Sequence, residues 1–463
     1  MRHRILYHST NRDIASKTNA KKSFTFKQAL FMGLAPDNGL LMPSEIPRLS
    51  KKFIMGFKGR PYHEVAYHIL ENFLSTEIKD KELKEIVKSS YNFGIPVEKL
   101  DDATWIVRLD QGPTASFKDF AAILMARLMQ KLKPKNKKIT ILVATSGDTG
   151  SAIGEAFRGL KGIKVYILYP KNEVSSIQKR HMDTIGKNVI TISINGKFDD
   201  CQKMVKRAFA DPDLKRLNLT SGNSISIGRI LPQIVYYFYA YANVVDNFKP
   251  VVFSIPSGNF GNSLGCEFAR RMGLPVKKII IATNENDEFP EFLKTGVYKK
   301  VEPAKNCISN AMNIGNPNNL VRYFNLYNGM IDKNGVVHKN PDIKEMKKHI
   351  FSVAISDKET IRTINWVYVK YDTIVEPHGA VGIAALQKYR KFDKKTLAIC
   401  IETAHPAKFP ETIKEELKVW PGMPKPMRII YKRKGKPYNL SKSYSAFKRF
   451  LLRDSDGEHQ LGW

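Results

Sequence analysis

From residue 138 onward the chain alternates short β-branched runs with amphipathic stretches: KITILVAT then GSAIGEAFRGL, KVYILY then SSIQKRHMDTI, NVITISI then DDCQKMVKRAFA. Apolar runs near 138–144, 163–169 and 188–194, each followed by a helical pattern, are the mark of βαβ units on a parallel sheet. The pattern resumes with PVVFSIP, SGNFGNSLGCEFARRMG and KKIIIAT over 250–283, and again with TLAICIE at 396–402. The first hundred residues differ: turn signals in GLAPDNGL (33–40), Pro43 and Pro47, then helical patterning through 62–91. An Asn/Pro/Gly-rich stretch between 300 and 350 marks loops. The expected fold is α/β, with two parallel-sheet domains after an N-terminal cap region.

Composition narrows the class. At 463 residues, 43% hydrophobic and 26% charged, the chain can bury a large core and reads as globular. The N-terminus MRHRILYHST has no apolar h-region, and the most apolar long stretch, 227–245, carries Arg229, Pro232, Gln233 and Asn243. No membrane association is expected, and the location expected is cytoplasmic. Cys201, Cys266, Cys307 and Cys400 form no C-x-x-C pair, and no H-E-x-x-H occurs, so no metal is expected. A formal charge of +31 admits two readings, a nucleic-acid footprint or dispersed surface lysine that steers small anions. The densest basic run, KRKGK at 432–436, is short, and no recognition module with stacking aromatics accompanies it. No nucleic-acid partner is therefore expected.

In parallel sheets, ligands gather at the carboxyl ends of strands. Three such ends carry unusual residues: TSGDTGSA (145–152), PSGNFGN (256–262) and ETAHPAKF (402–409). In PSGNFGN, Gly258 and Gly261 would let backbone approach a ligand, and the following helix offers unpaired N–H groups, a cradle for phosphate. A tight turn without a ligand explains the same residues. GNSLG (261–265) matches the nucleophile elbow around Ser263, with His378 or His405 as bases. An elbow needs its serine at the sharp turn, however, and the apolar run ends near Ile255, which sets Ser263 inside the helix. TSGDTGSA could bind a carboxylate through its donors, or be a capping turn with Asp148 or Thr149 as N-cap.

The segment PTASFKDFAA (113–122) places Lys118 in the first turn of an apolar helix, with Ser116 as the expected N-cap. Desolvation and the positive helix end would both lower the lysine's pKa and make it a good imine former. A snorkelling lysine fits the spacing too. An imine-forming lysine, a phosphate cradle and an anion loop are together what pyridoxal 5′-phosphate and an amino-acid substrate require.

SFKDF, ATSGDTGSA, PSGNFGN and TAHPAKF, in this order, resemble the threonine synthase family, fold-type II pyridoxal-phosphate enzymes (tryptophan synthase β-like). The resemblance runs from YHST (7–10) and GLAPDNGLLMP, through AMNIGNPNN (311–319), to about residue 452. It implies Lys118 as the Schiff-base and proton-transfer residue, and Ser257, Gly258, Asn259, Phe260, Gly261 and Asn262 as the cofactor-phosphate site. It further implies Thr403 at the pyridine nitrogen and Asp148 near the cofactor's 3′ oxygen. Ser116 and Thr145, Ser146, Gly147, Asp148 and Thr149 would bind the substrate, with Asn223, Arg229 and Lys408 toward its phosphate. The implied reaction is O-phospho-L-homoserine plus water giving L-threonine and phosphate, by a carbon–oxygen lyase acting as monomer or homodimer. A phospho-lyase or dehydratase of the same fold is the alternative. The domains expected are a cap, 1–100; a large cofactor-binding domain, 101–137 with 246–463; and a smaller, mobile domain, 138–245. Two departures stand out. Where the family commonly has Asn-Ser-Ile-Asn-Trp-Ala-Arg, this chain has NSISIGR (223–229), which alters a wall of the pocket. GLAPDNG replaces the usual Asp-Gly-Gly, a change that asparagine's tolerance of positive φ should absorb. The closing RDSDGEHQLGW (453–463) matches nothing in the family pattern.

Overall fold

The computed structural model describes residues 4–12 and 23–455; most of the closing 453–463 segment lies outside them. The chain divides into two compact units, one of residues up to Gly112 with Ser224–Gly422, the other of Pro113–Asn223 with the chain from Met423.

The smaller unit holds a five-stranded sheet in the order Tyr438–Ser441, Val189–Asn195, Ile163–Pro170, Ile139–Ala144, Leu219–Ser221, all parallel. Ile139–Ala144 is buried at every residue, as a central parallel strand covered on both faces must be. The edge strand Tyr438–Ser441 instead alternates half-buried and exposed positions. Phe447, Phe450 and Leu451 of the helix Tyr444–Ser455 pack with Leu142, Tyr166 and Ile192 in one core. Arg433, in the densest basic run, is committed to the carboxylate of Glu155.

The larger unit holds a six-stranded sheet: Ile350–Ala354, Val276–Thr283, Val251–Pro256, Ala398–Glu402, Thr104–Arg108 and Val97–Asp101. All pairs are parallel except the last, a hairpin. Helix Pro377–Tyr389 is buried nearly throughout, and Gly382 lies against Pro256. Helix Pro232–Val244, within the apolar stretch 227–245, starts with proline at N1 and is buried on almost all sides. It packs so closely on Gly261–Arg271 that a Cβ on Gly265 would sit 2.8 Å from the Gln233 carbonyl. Helices Tyr62–Leu74 and Asp80–Ser90 fill the expected helical region. Asn38 adopts φ 64°, the left-handed conformation that the GLAPDNG turn demands.

The parallel α/β architecture and the N-terminal region follow the expectation. The divisions fall elsewhere. Residue 100 lies inside the hairpin strand Val97–Asp101, which belongs to the large sheet. Helix Lys118–Leu132 groups with the smaller unit and packs on helix Asp148–Phe157, whereas 224–245 groups with the larger. The chain after Met423 returns to the smaller sheet, where its strand pairs with the open edge of Val189–Asn195. No helix among the described residues is long and apolar enough to cross a membrane.

Candidate active site

In the smaller unit, helix Lys118–Leu132 begins at the expected lysine, by a different device from the expected one. Ser116 is not its N-cap. Phe117 occupies that position with no side-chain cap, and Ser116 contributes its carbonyl, which accepts from Asp119 N–H at 3.1 Å. The Asp119 carboxylate turns back to accept from Thr114 N–H at 2.8 Å and Thr114 O–H at 2.6 Å. This closes a loop in which Ala115 takes φ 52°, a conformation that costs a residue with a Cβ about 1–2 kcal/mol. Ser116 Oγ is buried without a hydrogen-bond partner among the described residues. The turn delivers Lys118 with a side chain only 13% exposed, its Nζ 3.6 Å from Asp148 Oδ2 and 4.6 Å from the Phe117 ring centroid. The ammonium does not snorkel; it meets a buried carboxylate and an aromatic face.

That carboxylate stands on the loop after Ile139–Ala144. Neither Asp148 nor Thr149 is the N-cap of helix Asp148–Phe157; Gly147 is, with φ 139°. Thr145 Oγ1 does the capping from upstream, accepting from Gly147 N–H at 2.9 Å and Gly150 N–H at 3.0 Å. Gln178 Nε2 donates to Asp148 Oδ1 at 3.0 Å and fixes its orientation. A Cβ on Gly147 would lie 2.5 Å from the Gln178 amide carbon, so the loop is closed over that side chain. Asn223 spends its amide on backbone: Oδ1 accepts from Ala144 N–H and Nδ2 donates to Ala144 C=O, at 3.2 and 2.7 Å. One N–H proton of Asn223 remains for a ligand.

In the larger unit, Ser257–Asn262 forms the turn between strand Val251–Pro256 and helix Gly261–Arg271. Phe260 holds it in the left-handed region (φ 59°) and sinks its ring among Phe289 and Tyr323, so it offers a ligand backbone only. Gly258 packs against a second loop, where a Cβ would lie 2.7 Å from Ala311 O. Asn259 is gripped by the same loop: Oδ1 accepts from Asn318 N–H and Nδ2, and its carbonyl from Asn319 N–H and Nδ2. Ser257 O–H donates to Ile255 C=O at 3.1 Å. Asn262 Oδ1 receives the hydroxyls of Tyr236 and Tyr237, while its buried Nδ2 has no partner among the described residues. An unspent buried donor at the start of an eleven-residue helix, beside backbone N–H groups with no carbonyl one turn back, suits a phosphate. Ser263 is fully buried and donates to Phe260 C=O, which makes it a helix residue and no nucleophile.

Thr403 follows strand Ala398–Glu402, with Oγ1 3.2 Å from Glu376 Oε1. Glu376 caps helix Pro377–Tyr389 and accepts from His378 N–H, Gly379 N–H and His378 Nδ1. Burial and the neighbouring Glu376 push the Glu402 carboxyl well above the usual carboxylate range. Arg229 and Lys408 are both buried, at 3% and 0% exposure. Burial, with Arg108 and Lys408 nearby, lowers His405 to about 4, so this imidazole is neutral and its Nδ1 accepts from Ala407 N–H. The altered NSISIGR segment lies against the 257–262 turn, with Ser224, and Ile230 just after the segment, each 3.4 Å from a Cβ on Gly261. It is anchored by Arg322, fully buried, whose guanidinium reaches Leu41 O, Ser224 O, Ile225 O and Asn319 Oδ1. Sequence reasoning missed Arg322, Glu376 and Gln178. Only Glu376 left a trace, as the capping residue of EPHG.

Residues 91–401 match the family of pyridoxal-phosphate-dependent enzymes, 7–91 the threonine synthase N terminus and 379–451 the threonine synthase C-terminal family. The chain is 37% identical over 442 residues to threonine synthase of Buchnera aphidicola from Acyrthosiphon pisum, covering 94% of this chain and 98% of that one. The chain belongs to the threonine synthase family. Escherichia coli threonine synthase is 35% identical over 430 residues, 92% of this chain and 96% of the relative. The threonine synthase crystal structure from Brucella melitensis, bound to pyridoxal phosphate, superposes with TM-score 0.88 at 32% identity, over 97% of this chain and 99% of that one. Maize serine racemase, at 14% identity and TM-score 0.51 over 73% of this chain, shares the fold alone. Threonine synthases of this family use pyridoxal phosphate as cofactor, and so does this chain.

Proposed function

We propose that the chain converts O-phospho-L-homoserine and water to L-threonine and phosphate. The observation that carries this reading is Lys118 at a helix start, its side chain 13% exposed and its Nζ 3.6 Å from Asp148, in a chain that matches threonine synthases over 94% of its length. Pyridoxal phosphate, when bound, supplies an aldehyde for amines and a ring that spreads the charge left on proton removal. Lys118 Nζ would hold it, and the 257–262 turn its phosphate. Lys118 Nζ then takes the proton from substrate Cα and returns one at the end, with Asp148 Oδ2 keeping the amine in place. The N–H groups of the 145–149 loop orient the substrate carboxylate. Arg229, Lys408 and the remaining Asn223 N–H receive the phosphate leaving Cγ, where buried cations stabilise a departing dianion far better than in water. Water adds at Cβ. The substrate is a small molecule; the chain works in the cytoplasm as monomer or homodimer, without a nucleic-acid or membrane partner.

The test is Lys118→Ala. The purified variant is expected to lose the visible absorbance of a lysine-bound cofactor and at least about 10³-fold in turnover. Products decide the rest: threonine with phosphate supports the reading, whereas a 2-oxo acid with ammonia replaces it by a phospho-lyase or dehydratase of the same fold.

A further inference from the structure

A threonine hydroxyl has one proton and can donate it in one direction only. What Thr403 offers a ligand therefore depends on where that proton already goes. Its hydroxyl's partner among the described residues is Glu376 Oε1 at 3.2 Å, in a fully buried setting. Glu376 Oε1 also accepts from Gly379 N–H at 3.1 Å, and Oε2 accepts from His378 N–H at 2.8 Å. The remaining partner is His378 Nδ1. Ala311 N–H donates to His378 Nε2 at 3.1 Å, which makes Nε2 an acceptor and places the ring hydrogen on Nδ1, pointing at Glu376. Each of these groups brings a hydrogen to Glu376, and its carboxylate has no place for one of its own.

The proton of the neighbouring acid pair sits elsewhere. Glu402 Oε1 accepts from Glu376 N–H at 2.9 Å, and Oε2 presses on Gly379, where a Cβ would overlap it. Burial beside Glu376 raises Glu402 well above the usual range, which draws the proton of the pair toward Glu402. Arg108 and Asp110 complete the charged surroundings of the pair, with His405 neutral.

We infer that Glu376 holds Thr403 as a hydrogen-bond acceptor toward the cofactor, so that the pyridine nitrogen facing Thr403 carries a proton. This rests on the proposed placement of Thr403 at that nitrogen. It departs from the simpler expectation that a neutral hydroxyl leaves the nitrogen unprotonated. With its own proton committed to a buried carboxylate, Thr403 presents only lone pairs, and a ring nitrogen can bond to them only as N–H. Glu376 is a positioning residue: it gives a threonine the effect of an acidic side chain, at one remove.

The experiment uses holoenzyme reconstituted with pyridoxal phosphate labelled with ¹⁵N in the ring, read by ¹⁵N NMR. Wild type is expected to show the protonated-nitrogen shift. Glu376→Leu takes the acceptor away from the Thr403 proton and is expected to move the resonance to the unprotonated position, while Glu376→Asp keeps part of the wild-type signal. An unprotonated nitrogen in wild type overturns the inference whether or not the variants fold. A nitrogen equally protonated in wild type and Glu376→Leu overturns it too, yet leaves Thr403 at the ring if Thr403→Val shifts the signal. A resonance unmoved by Thr403→Val removes Thr403 from the ring and overturns the placement along with the inference.

Discussion

Two strand-end turns, one in each unit, solve the same problem with different means. The 145–150 turn of the smaller unit is built largely from its own residues: Thr145 caps Gly147 and Gly150, and Gln178 comes from outside to pin Asp148. The 257–262 turn of the larger unit is braced from far along the chain. Asn318 and Asn319 hold Asn259, Ala311 covers Gly258, Tyr236 and Tyr237 hold Asn262, and Arg322 ties Asn319 to Ser224 and Ile225. A turn that sets one carboxylate beside one lysine can be local. In the proposed function the other turn presents several N–H groups to a multiply charged phosphate, a task that needs its backbone immobilised from behind.

Breaking the distant brace should have the largest effect. Arg322→Met removes five hydrogen bonds and leaves Leu41 O, Ser224 O and Ile225 O buried without these donors, a loss of about 3–5 kcal/mol in denaturant unfolding. Burial already lowers this guanidinium to about 9, a sign that its neutral acceptors only partly offset desolvation. If the variant unfolds like wild type, the 257–262 turn does not depend on its brace.

The third strand end, with His405, tests the larger unit through pH. Its folded pKa of about 4 lies below the ordinary 6.5, so the unfolded chain takes up the proton first as pH falls. Stability is full above about 6.5 and drains away toward pH 4, by about 2–3 kcal/mol. His405→Asn, which keeps an acceptor for Ala407 N–H, should abolish that part of the decline when unfolding free energies are compared across this window.

Glycine replacements sharpen the contrast. Gly258→Ala drives a Cβ against backbone at Ala311 and Met312, at 2.7 and 3.0 Å, and neither can step aside alone. Gly147→Ala meets the Gln178 side chain at 2.5 Å from a backbone at φ 139°. Each should cost about 1–3 kcal/mol. Loss of phosphate affinity, measured by cofactor titration, should follow Gly258→Ala. Gly147→Ala should instead raise KM. Equal effects on both readouts would erase the distinction between the turns. Smallest of all, Ser263→Ala removes a hydroxyl bonded within its own helix and should change stability and turnover by less than about 1 kcal/mol, with no labelling of wild type by a fluorophosphonate.

The local turn was also the more legible one. The strands over 139–144, 163–170 and 189–195 show as apolar runs because central parallel strands are buried on both faces. Leu219–Ser221 and Tyr438–Ser441, short and at sheet edges, leave no such pattern. The motifs TSGDTG and PSGNFG announce their turns through glycines and small polar residues, and Lys118 through its place ahead of an apolar helix. The brace could not be read: Arg322 is one of 75 basic residues, and nothing in VRYF marks it as buried. The N-cap at Ser116 failed because a serine before a helix predicts its cap only when the backbone there is extended, and the left-handed Ala115 with the back-turned Asp119 displaced it.

The strand Tyr438–Ser441, more than two hundred residues downstream of its partner Val189–Asn195, also sets a schedule for synthesis. Until a ribosome has passed residue 441, the growing polypeptide displays Val189–Asn195 with one side unpaired, a surface to which a neighbouring nascent copy can zip. Chains terminated early should therefore clump, and trigger chaperone capture, even though every motif of the proposed site has already been made.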